Sequence, residues 1–138
     1  MVNENESGKD INDIYGQFSI NKYDEKYSIN YANLDKNIQK NKSYLFYKNL
    51  LLNSLSKSSK KLNILDIGCG SGRYADLFLD KSNYTGIDIS PFMIDQFYKN
   101  HLKDRKTKLL IGDFRNYDFQ NNFFDYIYSI GVLAEYIP

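Results

Sequence analysis

The second half of this 138-residue chain reads as an α/β domain, a parallel sheet with helices on both faces. Short apolar runs of strand length recur at residues 62–67, 84–89, 108–111 and 124–130. Helical segments follow the first two runs, so successive strands need crossover connections and lie parallel. A glycine cluster directly after the first run completes the pattern, because a tight strand-to-helix turn needs residues without a Cβ.

Taken in order, residues 1–9 are rich in Asn and Glu, show no periodicity and are expected to fray. Ile11, Ile14, Tyr15 and Phe18 fall at i, i+3, i+4 and i+7, which predicts a short helix starting after Asp10. The Tyr-, Asn- and Ser-rich run 18–33 selects no period. From about Leu34 to Leu55 the spacing of Tyr44, Tyr47, Leu51 and Leu55 predicts one longer helix. Residues 54–61 (SLSKSSKK) are a polar connector, too short to separate independent domains. The chain thus divides into a helical lead-in, 1–61, and an α/β core, 62–138.

Within the core, LNILDI at 62–67 suits a buried parallel strand. Residues 73–79 are expected to be helical and YTGIDI at 84–89 to be the second strand. Ser90-Pro91 is a helix start, with serine as cap and proline at the first helical position. Ile94, Phe97, Tyr98 and Leu102 would form that helix's inner face. KLLI at 108–111 and FDYIYSI at 124–130 supply the third and fourth strands.

Composition excludes several classes. Hydrophobic residues make up 42% and charged residues 25%, a globular rather than a disordered balance. With 18 Lys+Arg against 17 Asp+Glu the net charge is +1, which speaks against a strongly basic nucleic-acid binder. No nucleic-acid partner is expected. The single cysteine, Cys69, cannot form an internal disulfide, so a reducing compartment, the cytoplasm, is expected. The apolar runs are too short to span a membrane, and residues 1–10 lack the basic-then-apolar start of a secretion signal. The 13 tyrosines mostly fit helical faces or strand alternation, and packing is their default role. His101 is the only histidine and reads as structural or surface. No metal-ligand spacing is visible, and Cys69, with no histidine beside it, reads as a small loop residue.

The informative stretch is ILDIGCGSGRY at 64–74. Gly68, Gly70 and Gly72 would bring the backbone against a ligand at a helix N-terminus. Asp88 follows Gly68 by twenty residues, at the end of the second strand, where a carboxylate can accept from both ribose hydroxyls. The pair predicts an adenosine-type ligand across the first two strand ends. A dinucleotide fingerprint would need a small third residue where Arg73 stands. Asp66, just before the glycines, would repel a pyrophosphate but suit a ligand carrying a positive amine. S-adenosylmethionine has such an amine, a sulfonium and no phosphate.

Leu65-Asp66-Ile67-Gly68-Cys69-Gly70-Ser71-Gly72 resembles the first motif of the class I S-adenosylmethionine-dependent methyltransferases. Gly86-Ile87-Asp88-Ile89-Ser90 resembles their second motif, Gly112-Asp113-Phe114 their third, and FDYIYSIGV at 124–132 their fourth. The resemblance covers 62–138 in the family's order and implies a Rossmann-like methyltransferase fold. It also implies roles. Asp66 and the backbone at Gly68 and Cys69 would hold the methionine amino end, and Gly70 would permit close approach. Asp88 would bind the ribose, with Ile89 and Met93 near the adenine. Asp113 would accept from the adenine amine, with Phe114 beside the ring, and Ser129 would line the cavity near the methyl. Tyr23-Asp24 matches a Tyr-Asp pair that closes over the cofactor in many relatives, with Tyr15 competing for that role.

Departures from the family shape the remaining expectations. Ala134-Glu135 stands where relatives acting on small molecules often have a His pair, and the Asn/Asp-Pro-Pro-Tyr motif of many amino-group methylators is missing. The reading is a methyltransferase, or its donor-binding part, with a small-molecule acceptor. Asp125 and Glu135 are the nearby carboxylates in the last motif. The family sheet has seven strands, whereas the sequence reaches Pro138 just past the fourth. An apolar edge at 123–130 would then invite self-association or a partner chain. The alternative is a non-catalytic S-adenosylmethionine-binding or protein-interaction remnant.

Overall fold

A computed structural model describes residues 11–55, 59–101 and 107–132, with side chains from Gly16 onward. The lead-in contains α1 (Ile11–Lys22), α2 (Glu25–Asp35), a 3-10 turn at Ile38–Lys40 and α3 (Lys42–Leu55). The core runs β1 (Leu62–Ile67), a 3-10 turn at Ala75–Leu77, β2 (Ser82–Asp88), α4 (Pro91–His101), β3 (Lys108–Ile111), a 3-10 turn at Phe114–Asn116 and β4 (Tyr126–Tyr128). The strands form one parallel sheet in the order β3-β2-β1-β4, flanked by helices as expected.

That order places the site. The chain steps from β1 outward through β2 and β3, then returns to lay β4 on the other side of β1. At such a reversal the connections leave β1 and β4 in opposite directions, opening a crevice at their C-terminal ends. β1 and β2 are the interior strands, and Ile64, Leu65, Tyr84 and Ile87 are buried there, as continuous apolar runs predict. β3 and β4 are the edges of the described sheet, with Ile111 and Ile127 exposed. Phe78 and Phe97 are fully buried and pack with Ile64, Ile94, Tyr128 and Leu51 of α3.

Several expectations need correction. The helix expected over 34–55 is interrupted, because Asn41 caps α3 by accepting from the Tyr44 N–H at 3.0 Å. The run 18–33 contains the α2 start: Asp24 accepts from the Tyr27 N–H at 2.8 Å, so Asp24 is a helix cap. Residues 73–79 do not form an α-helix. Bonds from Ala75 to the Gly72 carbonyl and from Phe78 to the Ala75 carbonyl hold them in tighter three-residue turns. Tyr98 is exposed, because α4 buries Met93, Ile94, Gln96 and Phe97 instead. β4 is shorter than 124–130. The expected fraying of 1–9, the side chains of Ile11, Ile14 and Tyr15, and Leu102, Ala134 and Glu135 lie outside the described residues.

Candidate functional site

The loop after β1 owes its shape to glycine. Gly68, Gly70 and Gly72 have φ of 73°, 54° and 86°, all in the left-handed region that other residues avoid. The Gly68 and Cys69 N–H groups both donate to the Ile87 carbonyl, at 2.8 and 3.1 Å, folding the loop over the end of β2. The Gly70 N–H donates to Asp88 Oδ2 at 2.8 Å, and the Ser90 N–H to Asp88 Oδ1 at 2.9 Å. One carboxylate therefore fixes both the loop and the start of α4.

The glycines differ in what surrounds them. A Cβ on Gly72 would come within 2.7 Å of His101 Cδ2 and 2.9 Å of the Phe97 ring. Gly72 thus allows α4 to close on the loop. A Cβ on Gly70 would meet nothing within 4 Å. Gly70 faces open space, and that space is a cavity of about 460 Å³.

Core and lead-in share its wall. Asp66, Gly68, Cys69, Gly70, Asp88, Ile89, Met93 and Phe114 line it from the core, and Tyr23, Tyr27, Tyr31, Tyr44 and Tyr47 from the helices before β1. The lead-in is fastened to the loop at Asp35, whose carboxylate accepts from Ser71 Oγ and from Arg73 Nε, both at 2.7 Å. The Arg73 guanidinium lies 4.1 Å from the Tyr31 ring centre, a cation–π contact. Burial pushes the Tyr31 hydroxyl up to about 12. Ser90 Oγ donates to the Tyr23 carbonyl at 2.6 Å, a second tie between lead-in and core.

Asp66 is buried on β1 and accepts at Oδ2 from Tyr84 Oη at 2.6 Å and Tyr128 Oη at 2.8 Å. Burial pushes its carboxyl up to about 7, with the two hydroxyls opposing the rise and the Asp88 carboxylate adding to it. Burial likewise raises the Cys69 thiol well above its ordinary range, which keeps it protonated and unreactive, as its reading as a loop residue requires.

A family model described as a methyltransferase domain matches residues 64–138, more than half of the chain. The chain belongs to the methyltransferase domain family. The bovine (Bos taurus) 18S rRNA (guanine-N(7))-methyltransferase is 37% identical over 78 residues, which are 54% of this chain and 26% of that protein. The malonyl-[acyl-carrier protein] O-methyltransferase of Acetivibrio thermocellus is 47% identical over 51 residues, 34% of this chain and 18% of that one. The chain thus spans about a quarter of the length of these curated relatives, or less. Among solved structures, a TehB-like SAM-dependent methyltransferase from Corynebacterium glutamicum superposes with a TM-score of 0.64 at 24% identity, covering 83% of this chain and 60% of that one. That likeness shows the fold, a class I Rossmann-like methyltransferase sheet.

Within this methyltransferase domain, two of the expected site residues stand apart from the cavity wall. Asp113 accepts from Arg115 Nε at 2.9 and 3.1 Å and from Arg115 Nη2, and it caps the 3-10 turn through the Arg115 N–H at 3.0 Å. Its side-chain bond to Arg115 holds the carboxyl below its ordinary range. Gly112 and Phe114 on either side do line the cavity. Ser129 Oγ is buried without a hydrogen-bond partner among the described residues, while Ile130 and Gly131 reach the wall. Asp125 lies at the opposite end of β4, accepting from the Asn63 N–H at 2.9 Å and from Lys60 Nζ at 3.0 Å. It anchors that strand's start, away from the crevice. His101 is structural, with Nδ1 2.8 Å from Asp76 Oδ1 and its ring edge-on to Phe97.

Sequence reasoning missed Asp35, Tyr31, Tyr84 and Tyr128. The signal for the last two is parity: Ile64 pairs with Tyr84 and Asp66 with Tyr128, so all four share one sheet face. Reading that requires the register between strands.

Proposed function

We propose that this domain binds S-adenosyl-L-methionine in the crevice and, with the acceptor side completed, transfers its methyl group. The observation that carries the reading is the cradle at Gly70, open toward the cavity and flanked by Asp66 and Asp88. The residues suit such a donor. Asp88 ends β2 beside Gly70 and lines the cavity, where a carboxylate can accept from ribose hydroxyls. Asp66 offers a buried carboxylate to a cationic amine. Ile89, Met93 and Phe114 supply apolar surface for a purine. Gly68 and Cys69 offer backbone to the amino-acid end, and Tyr23 closes the lead-in side. When bound, the donor supplies a methyl on sulfonium, a carbon already activated for in-line displacement. The protein's work is then orientation and exclusion of water.

The helices within residues 11–55 act in this reading as a cover for the donor cavity, and an acceptor meets the domain beside the β4 crevice. The named relatives act on 18S rRNA and on malonyl-[acyl-carrier protein], so relationship does not favour a small-molecule acceptor over a nucleic acid, and the expectation of no nucleic-acid partner is not supported. No described helix is long and apolar enough to cross a membrane.

Calorimetric titration with S-adenosyl-L-homocysteine tests the donor reading. The chain should bind it, and Asp88→Ala should weaken binding by about tenfold or more, as loss of hydrogen bonds to a charged group predicts. Unchanged affinity overturns the ribose assignment, and no binding overturns the donor site in favour of a non-binding remnant.

A further inference from the structure

The Asp66–Tyr84–Tyr128 group asks for an explanation that packing does not supply. A buried carboxylate with two tyrosines costs more desolvation than apolar residues of the same volume would. The rings are set in the core, Tyr84 5.9 Å from Phe97 and Tyr128 5.3 Å from Phe78 between ring centres. Their hydroxyls come from the strands on either side of β1 and converge on one oxygen, Oδ2. Asp66 Oδ1 receives no hydrogen bond among the described residues, and Asp66 lines the cavity. The carboxylate is thus gripped on one oxygen from both sides, and the other oxygen remains available to a ligand.

We propose that Tyr84 and Tyr128 are positioning residues that hold Asp66 as a proton-linked receptor for the ligand's ammonium group, so that donor binding expels a proton from Asp66. The inference rests on the donor reading above. The groups facing Asp66 are Tyr84 on β2, Tyr128 on β4, the Cys69 thiol in the loop and the Asp88 carboxylate at the end of β2, with Lys22 and Arg73 on the same cavity wall. The balance is simple. In the free protein near neutral pH a large fraction of Asp66 carries a proton. The ligand arrives as an ammonium and keeps its proton, the carboxyl loses its own to solvent, and an ion pair forms in the buried site. Each tyrosine hydroxyl donates to the ionised form and favours it. Removing either one should therefore raise the pH at which Asp66 ionises.

The test is calorimetry of the 138-residue chain with S-adenosyl-L-homocysteine, in buffers of different ionisation enthalpy, between pH 6 and 7.5. Proton release should approach one per ligand at the acid end of this range and fall as pH rises through about 7. 5′-Methylthioadenosine, which lacks the amino-acid tail, should bind without this release. Tyr84→Phe and Tyr128→Phe keep the rings, and each should move the release profile upward by about half a pH unit or more. Two such variants guard against one failing to fold. Binding of both ligands without proton release, or profiles in the variants that match the wild type, overturns the inference and leaves the donor reading standing. Binding of neither ligand at any pH overturns both.

Discussion

Asp66 carries a stability cost that can be measured without any ligand. Its folded-state carboxyl sits at about 7, above the 3.8 of an ordinary aspartate, so the folded chain binds this proton more tightly than the unfolded chain. Stability from this group is therefore greatest below about pH 4, falls as pH rises from 4 to 7, and is level above. The fall is on the order of a few kcal/mol. Asp66→Asn should flatten that part of the profile in denaturant unfolding between pH 4.5 and 7.5. A parallel decline in the variant would place the titration elsewhere. Glycine substitutions separate packing from ligand access at the same scale. Gly72→Ala should cost about 2–3 kcal/mol, since it adds a left-handed φ to a collision with Phe97 and His101. Gly70→Ala, with no protein atom to strike, should cost about 1 kcal/mol of stability and mainly lower affinity for S-adenosyl-L-homocysteine. Equal stability losses at both positions would contradict this division.

At the scale of elements, the junction of α2 with the glycine loop was the least legible. Asp35 ends α2 and binds Ser71 and Arg73, 36 and 38 residues further on. No periodic pattern announces a contact at that distance. Arg73 and Asp35 are largely sheltered, with side chains 24% and 12% exposed, so their bond is worth more than a surface pair. Asp35→Ala should destabilise the chain by about 1–3 kcal/mol and loosen α2, read as faster amide exchange over residues 25–35. Exchange unchanged there would show that α2 is held without the Asp35 bonds. The same contact helps explain the missing helix at 73–79. A local preference for helix lost to a loop that must present Ser71 and Arg73 to Asp35 and Gly72 to α4. Conversely, Asp24 and Asn41 were cap signals visible in the sequence, and weighting them above the apolar spacing would have divided the lead-in correctly.

For the whole molecule, ligand binding and folding are linked, because the cavity wall joins the lead-in helices to the strand ends. S-adenosyl-L-homocysteine at a hundred times its Kd should stabilise the chain by about 2.7 kcal/mol, a rise in Tm of about 8 °C. Asp88→Ala should show much less of that rise at the same ligand concentration. An equal shift in the variant would mean that the ligand sits elsewhere.

The sequence by itself determined the α/β class, the glycine turn, Asp88 at the end of β2 and membership of the methyltransferase family. These are legible because they depend on backbone conformation and on spacing within single strand–turn–helix units. Only the tertiary structure decided that Tyr84 and Tyr128 grip Asp66, that Asp35 clamps the loop, and that Asp113 is held by Arg115 off the cavity wall. It also moved Asp125 from the neighbourhood of the site to the far end of β4. The physical reason is that a side chain's partner is set by strand register and by the return of β4 beside β1. Those follow from how the whole core buries its apolar surface, and no local spacing encodes them.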